Sequence, residues 1–382
     1  MKILILGGDG YLGWPTAMAF SKKGHEVMVV DNYLRRNLCR DLDVEPLFPV
    51  PNLLERVRLW REVTGHEIHT RIGDCCNYQF LMEVFRECRP DAIIHYAEQP
   101  SAPYSMLNHG AAELTLMNNL RGTFNIVWAM REQAPDCHLV KLGTMGEYGT
   151  PNIDIEEGWI EMEHKGRRDR FLFPRQAGSL YHTTKIQDTD LLWFYVRMWG
   201  LRVSDLMQGP VYGLSVNDEA DLDQRLLPFF NYDELFGTVL NRFVVQAVAG
   251  YPLTVYGKGG QTRGYLNLRD TVACVELAVD NPADHGELRV FNQITETFTV
   301  NELADKVFRV GKERGHAVEI KSIENPRKEK EEHYYNPVYT GLKDLGLTPN
   351  YLTDEVLQGM FEIVEKHKDR IVRNRIFRGV KW

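Results

Sequence analysis

The first thirty-one residues constrain the fold more than any other stretch of the chain. A short run of apolar residues, Ile3 to Leu6, precedes the segment Gly-Gly-Asp-Gly-Tyr-Leu-Gly at positions 7–13. A helical stretch from Trp14 to Lys23 follows, and residues 26–31 have the composition of a second strand. A strand, a glycine turn, a helix and a strand in this order predict the nucleotide-binding half of a Rossmann fold.

The glycine spacing and the acid that ends the second strand predict which ligand binds. Gly7, Gly10 and Gly13 permit, in turn, a tight turn, close approach of backbone to a pyrophosphate, and close packing of helix on strand. The helix N-terminus presents N–H groups to the phosphates. Asp31 is placed to accept hydrogen bonds from a ribose 2′-OH and would repel a phosphate there, so NAD is expected rather than NADP. The alternative is a tight turn that binds no ligand.

Composition narrows the class of protein. The chain has 382 residues, 43% of them hydrophobic and 26% charged, which is typical of a globular enzyme. A net charge of −8 argues against nucleic acid or a membrane surface as a partner, and no apolar run is long enough for membrane insertion. The first strand begins at Lys2 and leaves no room for a signal peptide, so a cytoplasmic location is expected. The six cysteines lack metal-ligand spacing and are expected to be reduced, with no metal site.

Strands alternate with helices through the first half of the chain, which predicts an α/β fold with a Rossmann-type doubly wound parallel sheet. Further strands are expected at 69–74, 92–97, 138–143 and 201–206. Two inserts, near 32–70 and 150–179, interrupt the alternation, and the second could contain a hairpin around Lys165–Gly166. We expect an NAD-binding domain at 1–208 and a smaller C-terminal substrate-binding lobe at 209–382, with some of its segments returning to the sheet.

Tyr181 and Lys185 lie one helical turn apart and therefore share a face. A free tyrosine, with a pKa of about 10, is a poor base at neutral pH. A lysine ammonium favours the phenolate, and a bound nicotinamide adds positive charge, so the phenolate can act as a general base. Thr144, at the end of the fifth strand, can hydrogen-bond the same substrate hydroxyl. The three residues suit removal of a proton from an alcohol whose carbon gives a hydride to NAD; the alternative is a pair on a helix surface.

The cofactor is expected to extend over the carboxyl ends of the strands. Asp74 and Cys75, at the end of the third strand, are expected near the adenine. Arg35 or Arg36 could stack on the adenine or reach a phosphate, and a solvated charged face is the alternative for each. The remaining cofactor candidates in this half of the chain are Tyr11, Leu12 and Asn32.

The segment Tyr256 to Tyr265, Tyr-Gly-Lys-Gly-Gly-Gln-Thr-Arg-Gly-Tyr, resembles a substrate-domain motif of the extended short-chain dehydrogenase/reductases that act on nucleotide sugars. Within that group the chain resembles the UDP-sulfoquinovose synthases, and both inserts match. The matching stretches are residues 7–14, 30–36, 101–106, 118–119, 140–157, 236–238, 240–243, 253–265, 289–293 and 331–336.

The resemblance implies UDP-glucose and sulfite as substrates, with NAD bound tightly and recycled. Tyr181 takes the proton of the 4-OH while C4 gives a hydride to NAD, and the new ketone acidifies the hydrogen on C5. Loss of that proton and of the 6-OH as water leaves a 4-keto-5,6-ene. Sulfite then adds to C6, and return of the hydride to C4 gives UDP-sulfoquinovose.

Two positions depart from the patterns of related enzymes. Sugar-nucleotide 4,6-dehydratases have Asp-Glu after the catalytic threonine, whereas this chain has Met145 and Gly146. Glu147 and His182 are the nearest substitutes for the acid and the base of the elimination, although Glu147 could brace the loop and His182 could orient a water. The second departure is Pro100, where the resemblance implies an arginine, so a substrate contact is lost or supplied by another residue.

The resemblance also assigns further contacts, for each of which a satisfied polar loop residue is the alternative. Arg263 and Arg327 are candidates for the diphosphate, because a guanidinium can bind phosphate through two hydrogen bonds. A homodimer or higher homo-oligomer is expected, built on the helices near 111–131 and 181–199. Residues expected in the nucleotide-sugar pocket, besides Thr144 and Tyr181, are Gln208, Arg242, Gln261 and Tyr265. Residues expected to face the cofactor are Tyr96, Glu98 and Asn119.

Two other functions stay open from the sequence. A nucleotide-sugar 4-epimerase or 4,6-dehydratase is disfavoured by the two matching inserts and by the missing Asp-Glu pair. A non-catalytic NAD-binding module is disfavoured because Thr144, Tyr181 and Lys185 are all present.

Overall fold

The computed structural model describes residues 1–216, 223–326 and 333–379. Its strands are β1 (Lys2–Leu6), β2 (Glu26–Asp31), β3 (His69–Ile72), β4 (Ala92–His95), β5 (His138–Thr144), β6 (Trp159–His164), β7 (Arg167–Leu172), β8 (Arg202–Gln208), β9 (Val211–Tyr212), β10 (Leu253–Tyr256), β11 (Thr262–Asn267), β12 (Leu288–Gln293), β13 (Glu296–Thr299) and β14 (Ile320–Ile323). Its α-helices are α1 (Gly13–Lys22), α2 (Leu34–Asp41), α3 (Leu53–Thr64), α4 (Tyr78–Cys88), α5 (Ala102–Ser105), α6 (His109–Gln133), α7 (Leu180–Trp199), α8 (Val239–Val248), α9 (Leu268–Asp280), α10 (Val300–Glu313), α11 (Gly341–Asp344), α12 (Asp354–Lys366) and α13 (Arg373–Ile376).

Seven parallel strands form the central sheet, in the order β12-β8-β5-β4-β1-β2-β3. The order reverses between β1 and β4, so connections leave these two strands in opposite directions and open a crevice at their carboxyl ends. This arrangement confirms the predicted doubly wound α/β fold. The edge strand β12 comes from the C-terminal part of the chain, after the region in which the regular alternation stops.

Alternating residues of β1 bury against the two faces of the sheet. Leu4 and Leu6 belong to the apolar cluster beneath α4, α6 and α7, whereas Ile3 and Ile5 belong to the cluster beneath α1, α3 and α9. All four side chains are fully buried. Because successive side chains of a strand point to opposite faces, a continuous apolar run requires cover on both sides. The sheet is therefore a rigid base for the loops at its carboxyl edge.

A third apolar cluster forms the C-terminal lobe, where α8, α10 and α12 pack around β10 and β14. Three short strands, β13, β11 and β9, join this lobe to the crevice. The insert after β5 carries the antiparallel hairpin β6–β7. Its turn residues, Lys165 and Gly166, have φ values of 51° and 75°, which confirms the predicted hairpin. Among the described residues, no helix combines the length and the apolar composition needed to cross a bilayer.

Candidate active site

The glycine turn after β1 has a crowded side and an open side. A Cβ on Gly7 would lie 2.7 Å from the carbonyl carbon of Tyr96, and one on Gly13 would lie 2.1 Å from the Gly7 oxygen. Packing within the protein therefore requires both glycines. At Gly10 the nearest described atom is the Gly7 oxygen, at 3.6 Å, and Gly10 lines a cavity. The open side at Gly10 fits a pyrophosphate, as the sequence predicts for NAD.

The cavity has a volume of about 1730 Å³ and lies over the carboxyl edge of the sheet, beneath the C-terminal lobe. A single ligand site commonly occupies about 300–1,000 Å³, so this cavity has room for a dinucleotide and a second ligand. The predicted cofactor residues that line it are Gly7, Gly10, Tyr11, Leu12, Gly13, Asp31, Asn32, Arg35, Asp74, Cys75, Tyr96 and Glu98. The predicted catalytic and substrate residues that line it are Thr144, Tyr181, His182, Gln208, Arg242, Gln261, Arg263 and Tyr265.

Other predicted residues lie behind the cavity wall, and they are Arg36, Asn119, Glu147 and Lys185. Arg36, expected at the adenine or a phosphate, instead binds Asp9 of the glycine turn. Asn119 is fully buried, and its Oδ1 accepts the N–H of Gln99 at 2.8 Å, so it supports the wall. Arg327 lies outside the described residues.

Tyr181 and Lys185 lie in the first two turns of α7, where Ser179 caps the helix. The Nζ atom of Lys185 lies 2.6 Å from Glu98 Oε2, and both side chains are buried. Burial raises the pKa of Tyr181, and the charges of Glu98 and Glu147 raise it further. The net direction is opposite to the one expected from Lys185 alone, because burial and the two carboxylates outweigh the positive charges nearby. Loss of the phenolic proton therefore requires further positive charge beside Tyr181.

Glu147 braces the loop that follows β5. Its Oε1 accepts the N–H of Thr144 at 3.1 Å, while the Thr144 hydroxyl accepts the N–H of Gly146 at 3.2 Å. The Glu147 side chain is fully buried and lies 3.6 Å from both Lys141 Nζ and Arg175 Nε. Of the two roles open from the sequence, the geometry favours the brace over chemistry on the substrate. The brace holds Thr144 at the cavity wall.

Gly146 leaves the space that the His182 ring occupies. A Cβ at position 146 would lie 2.3 Å from His182 Nε2, so a longer side chain could not share the site with the imidazole. The other ring nitrogen, Nδ1, lies 3.1 Å from the Ser179 hydroxyl. The imidazole thus stands where a dehydratase-like carboxylate after the threonine would begin. The glycine that replaces the dehydratase carboxylate at position 146 is therefore what makes room for His182.

Sequence reasoning missed several residues of the site. Asp9 is bound by two arginines of the first insert, and only its position within the glycine turn hinted at a role. His333 Nε2 lies 2.7 Å from Arg263 Nη1. Phe377, near the C-terminus, lines the cavity, with its ring centroid 6.5 Å from that of Tyr256. These contacts join segments that are distant in the chain, so no local sequence pattern predicts them.

Comparison with known sequences shows a family and two full-length relatives. The profile described as the NAD dependent epimerase/dehydratase family matches residues 3–292. The chloroplastic UDP-sulfoquinovose synthase of Spinacia oleracea is 49% identical over 381 residues, which cover 100% of this chain and 79% of that protein. The UDP-sulfoquinovose synthase of Sulfolobus acidocaldarius is 44% identical over 385 residues, which cover 100% of this chain and 98% of that protein.

Comparison with solved structures shows the same fold. The UDP-glucose 4-epimerase of Bifidobacterium longum, in complex with NAD⁺ and UDP, has a TM-score of 0.73 at 17% identity and covers 97% of this chain and 100% of its own. The UDP-glucose 4-epimerase of Thermotoga maritima, in a structure with UDP-glucose, has a TM-score of 0.70 at 20% identity. The match covers 96% of this chain and 99% of that chain. At these identities the similarity establishes the fold and leaves the reaction to the site itself.

Proposed function

The chain belongs to the NAD dependent epimerase/dehydratase family, and on that premise we propose that it converts UDP-glucose and sulfite to UDP-sulfoquinovose and water. The observation that carries this proposal is the full-length similarity to two UDP-sulfoquinovose synthases. The site supports it, because the cavity joins a dinucleotide-binding turn to the residues Thr144, Tyr181 and His182.

The protein is an NAD-dependent enzyme, and the glycine turn, Asp31 and the ends of β3 and β4 are the parts that hold the cofactor. NAD held there would supply a hydride acceptor for C4 of the sugar and, in its oxidised form, positive charge near Tyr181. Tyr181 takes the proton of the 4-OH and gives it back during the final reduction. Thr144, held by the Glu147 brace, hydrogen-bonds the same oxygen.

His182 is the side chain best placed for the elimination that the proposed reaction requires. It lines the cavity beside Tyr181, with ring centroids 5.2 Å apart, and fills the space next to Gly146. A neutral imidazole can accept the C5 proton, and a protonated one can donate a proton to the leaving 6-OH. Each step balances, because the water lost takes the 6-OH and one proton, and the sulfite that adds to C6 is matched by a proton returned to C5.

The decisive assay incubates the purified enzyme with UDP-glucose, with and without sulfite, and analyses the products by mass spectrometry. We expect a sulfonated UDP-sugar with sulfite. A keto-sugar or UDP-galactose formed without regard to sulfite would support a dehydratase or an epimerase instead. Absence of turnover by a protein that still binds NAD would support a non-catalytic module.

Glu98→Gln is expected to shift the pH profile of turnover to lower pH. Glu98 raises the pKa of Tyr181, so removal of its charge lowers that pKa and lets the phenolate form in more acidic solution. The measurement is turnover against pH for this variant and for the control Glu83→Gln, whose carboxylate lies at the surface of α4. A turnover rate that falls equally at every pH, with the acidic limb of the pH profile unmoved, would contradict this role for Glu98.

Four finer assignments belong to the same proposal. Sulfite is the second substrate, and Arg35 is a candidate to supply the positive charge that Pro100 cannot. Arg35 lies 4.0 Å above the Phe236 ring, and the neighbouring Leu235 oxygen accepts the Ser101 hydroxyl at 2.5 Å. Residues 1–208 form the NAD-binding domain, and residues 209–382 mainly bind the nucleotide sugar. All six cysteines are free thiols, which supports a reducing compartment such as the cytoplasm.

A homodimer built on α6 and α7 is supported by apolar side chains exposed on these helices. These side chains are Met117, Phe124, Phe194 and Met198. Clusters of this kind on a folded protein commonly mark association surfaces. Light scattering is expected to show at least a dimer, and a monomer at all concentrations would refute the assignment.

A further inference from the structure

Asp9 is a buried acid inside the glycine turn and has no place in the chemistry proposed above. Its side chain is 5% exposed. Arg36 Nη2 donates to Asp9 Oδ1 at 2.8 Å, and Arg56 Nη1 donates to the same oxygen at 3.1 Å. Arg56 Nη1 also donates to the Asp9 backbone oxygen at 3.0 Å. Two helices of the first insert, α2 and α3, are thus tied to one residue of the phosphate-binding turn.

The two arginines connect that turn to other parts of the protein. Arg36 also donates to the carbonyl oxygens of Val50 and Pro51, at 3.0 and 2.6 Å. Arg56 is fully buried, lies 4.3 Å above the Trp14 ring and donates to the Leu227 oxygen at 3.0 Å. The turn is therefore held both by the insert and by the segment that leads into the C-terminal lobe.

The same cluster reaches the carboxylate expected to bind the ribose. The N–H of Asp9 donates to Asp31 Oδ2 at 2.9 Å. Asp9 and Asp31 bring two negative charges close together, and Arg36 and Arg56 offset them. Buried charges that are paired and hydrogen-bonded on several sides hold one geometry, because a broken pair leaves an unpaired buried charge. Both ends of the cofactor's diphosphate–ribose site thus depend on this cluster.

We propose that Asp9, Arg36 and Arg56 form a retention clasp by which the first insert keeps the glycine turn closed around bound NAD. The proposal rests on the proposed function in one respect, because a cofactor that must return its hydride to the same sugar has to stay bound between the two steps. Release of NAD then requires the turn to open, which strains the Arg36 and Arg56 contacts. The insert after β2 acts as part of the cofactor site although Arg36 and Arg56 do not face the cavity.

Arg36→Gln is the main test, because this side chain is 23% exposed and Asp9 keeps its bond to the buried Arg56. The protein is purified with NAD bound, and release of NAD is followed over time with an NAD-consuming enzyme as a trap, without sugar or sulfite. We expect release to become roughly ten-fold to a hundred-fold faster, since losing one partner of a buried charge pair acts mainly on dissociation. Arg36→Lys should fall between, because an ammonium cannot make the paired contacts of a guanidinium.

Asp9→Asn is the second variant and removes the charge at constant shape. The matched control is Arg61→Gln, also in the first insert, whose side chain is 69% exposed and pairs with Glu67 at the surface. A folded Arg36→Gln or Asp9→Asn protein that purifies without NAD counts as faster release. Unchanged release from Arg36→Gln, or equal acceleration by Arg61→Gln, would overturn the clasp. Either result would overturn the clasp alone, and the proposed sulfosugar reaction would stand. Conversely, NAD release can still be measured if the enzyme makes no sulfosugar.

Discussion

Tyr181→Phe is expected to lower turnover by roughly 10²- to 10⁴-fold while NAD stays bound. The substitution removes the phenolic oxygen that we propose as the acceptor of the 4-OH proton and keeps the ring, so the wall of the cavity is preserved. Without a base at this position, oxidation at C4 cannot begin at a useful rate. The measurements are steady-state turnover with UDP-glucose and sulfite and the NAD content of the purified variant.

Tyr195→Phe is the matched control, since Tyr195 lies on the same helix, α7, and is almost fully buried. Its hydroxyl accepts a hydrogen bond from Trp128 Nε1 at 3.2 Å, and it does not line the cavity. We expect near-normal turnover from this variant. If Tyr181→Phe also retained a near-normal rate, Tyr181 would have no part in the mechanism.

Lys141→Met is expected to destabilise the fold by about 3–5 kcal/mol, because it removes the buried cation that Asp205 and Glu147 share. Lys141 Nζ lies 3.3 Å from Asp205 Oδ2 and 3.6 Å from Glu147 Oε1, and all three side chains are fully buried. Burial alone would lower the pKa of Lys141, yet Asp205 and Glu147 raise it above its usual value. The ammonium is therefore charged in the folded protein and holds the Glu147 brace under Thr144.

Urea unfolding and thermal melting of Lys141→Met measure this effect. The control is Lys2→Met, since Lys2 is 41% exposed and its distance to Glu26 is 3.9 Å. A surface change of this kind is expected to stay within about 0.5 kcal/mol. Equal stability of the two variants would show that the buried charges do not support the loop after β5.

Structural elements that depend on residues close together in the chain were predictable from the sequence. The glycine turn, the strands that flank it, the first turns of α7 and the hairpin at Lys165–Gly166 each depend on residues close together in the chain. Helix α2 was not predicted, because the first insert contains Pro46, Pro49 and Pro51, and prolines are typical of irregular structure. The helix ends at Asp41, before the first of these prolines, and the N–H of its first residue, Leu34, donates to Asn32 Oδ1 at 2.9 Å.

Charge pairing between distant segments was not predictable. The tyrosine–lysine spacing suggested an acidic phenol, but the partner of Lys185 is Glu98, from the loop after β4. Glu147 follows the catalytic threonine in sequence, yet Lys141 and Arg175 draw its carboxylate away from the cavity. Burial and partner together decide the protonation state of such groups, and both depend on the complete fold.

The proposed function requires that the hydrogen leaving C4 of UDP-glucose as hydride would be held by one bound NAD and returned to the same carbon after sulfite has added to C6. The most direct test incubates the enzyme with sulfite and UDP-glucose that carries deuterium at C4, in ordinary water. The product is then analysed by mass spectrometry. We expect a sulfonated UDP-sugar that keeps its deuterium at C4. A sulfonated product that has lost the label, or a labelled sugar that never gains a sulfonate, would contradict it.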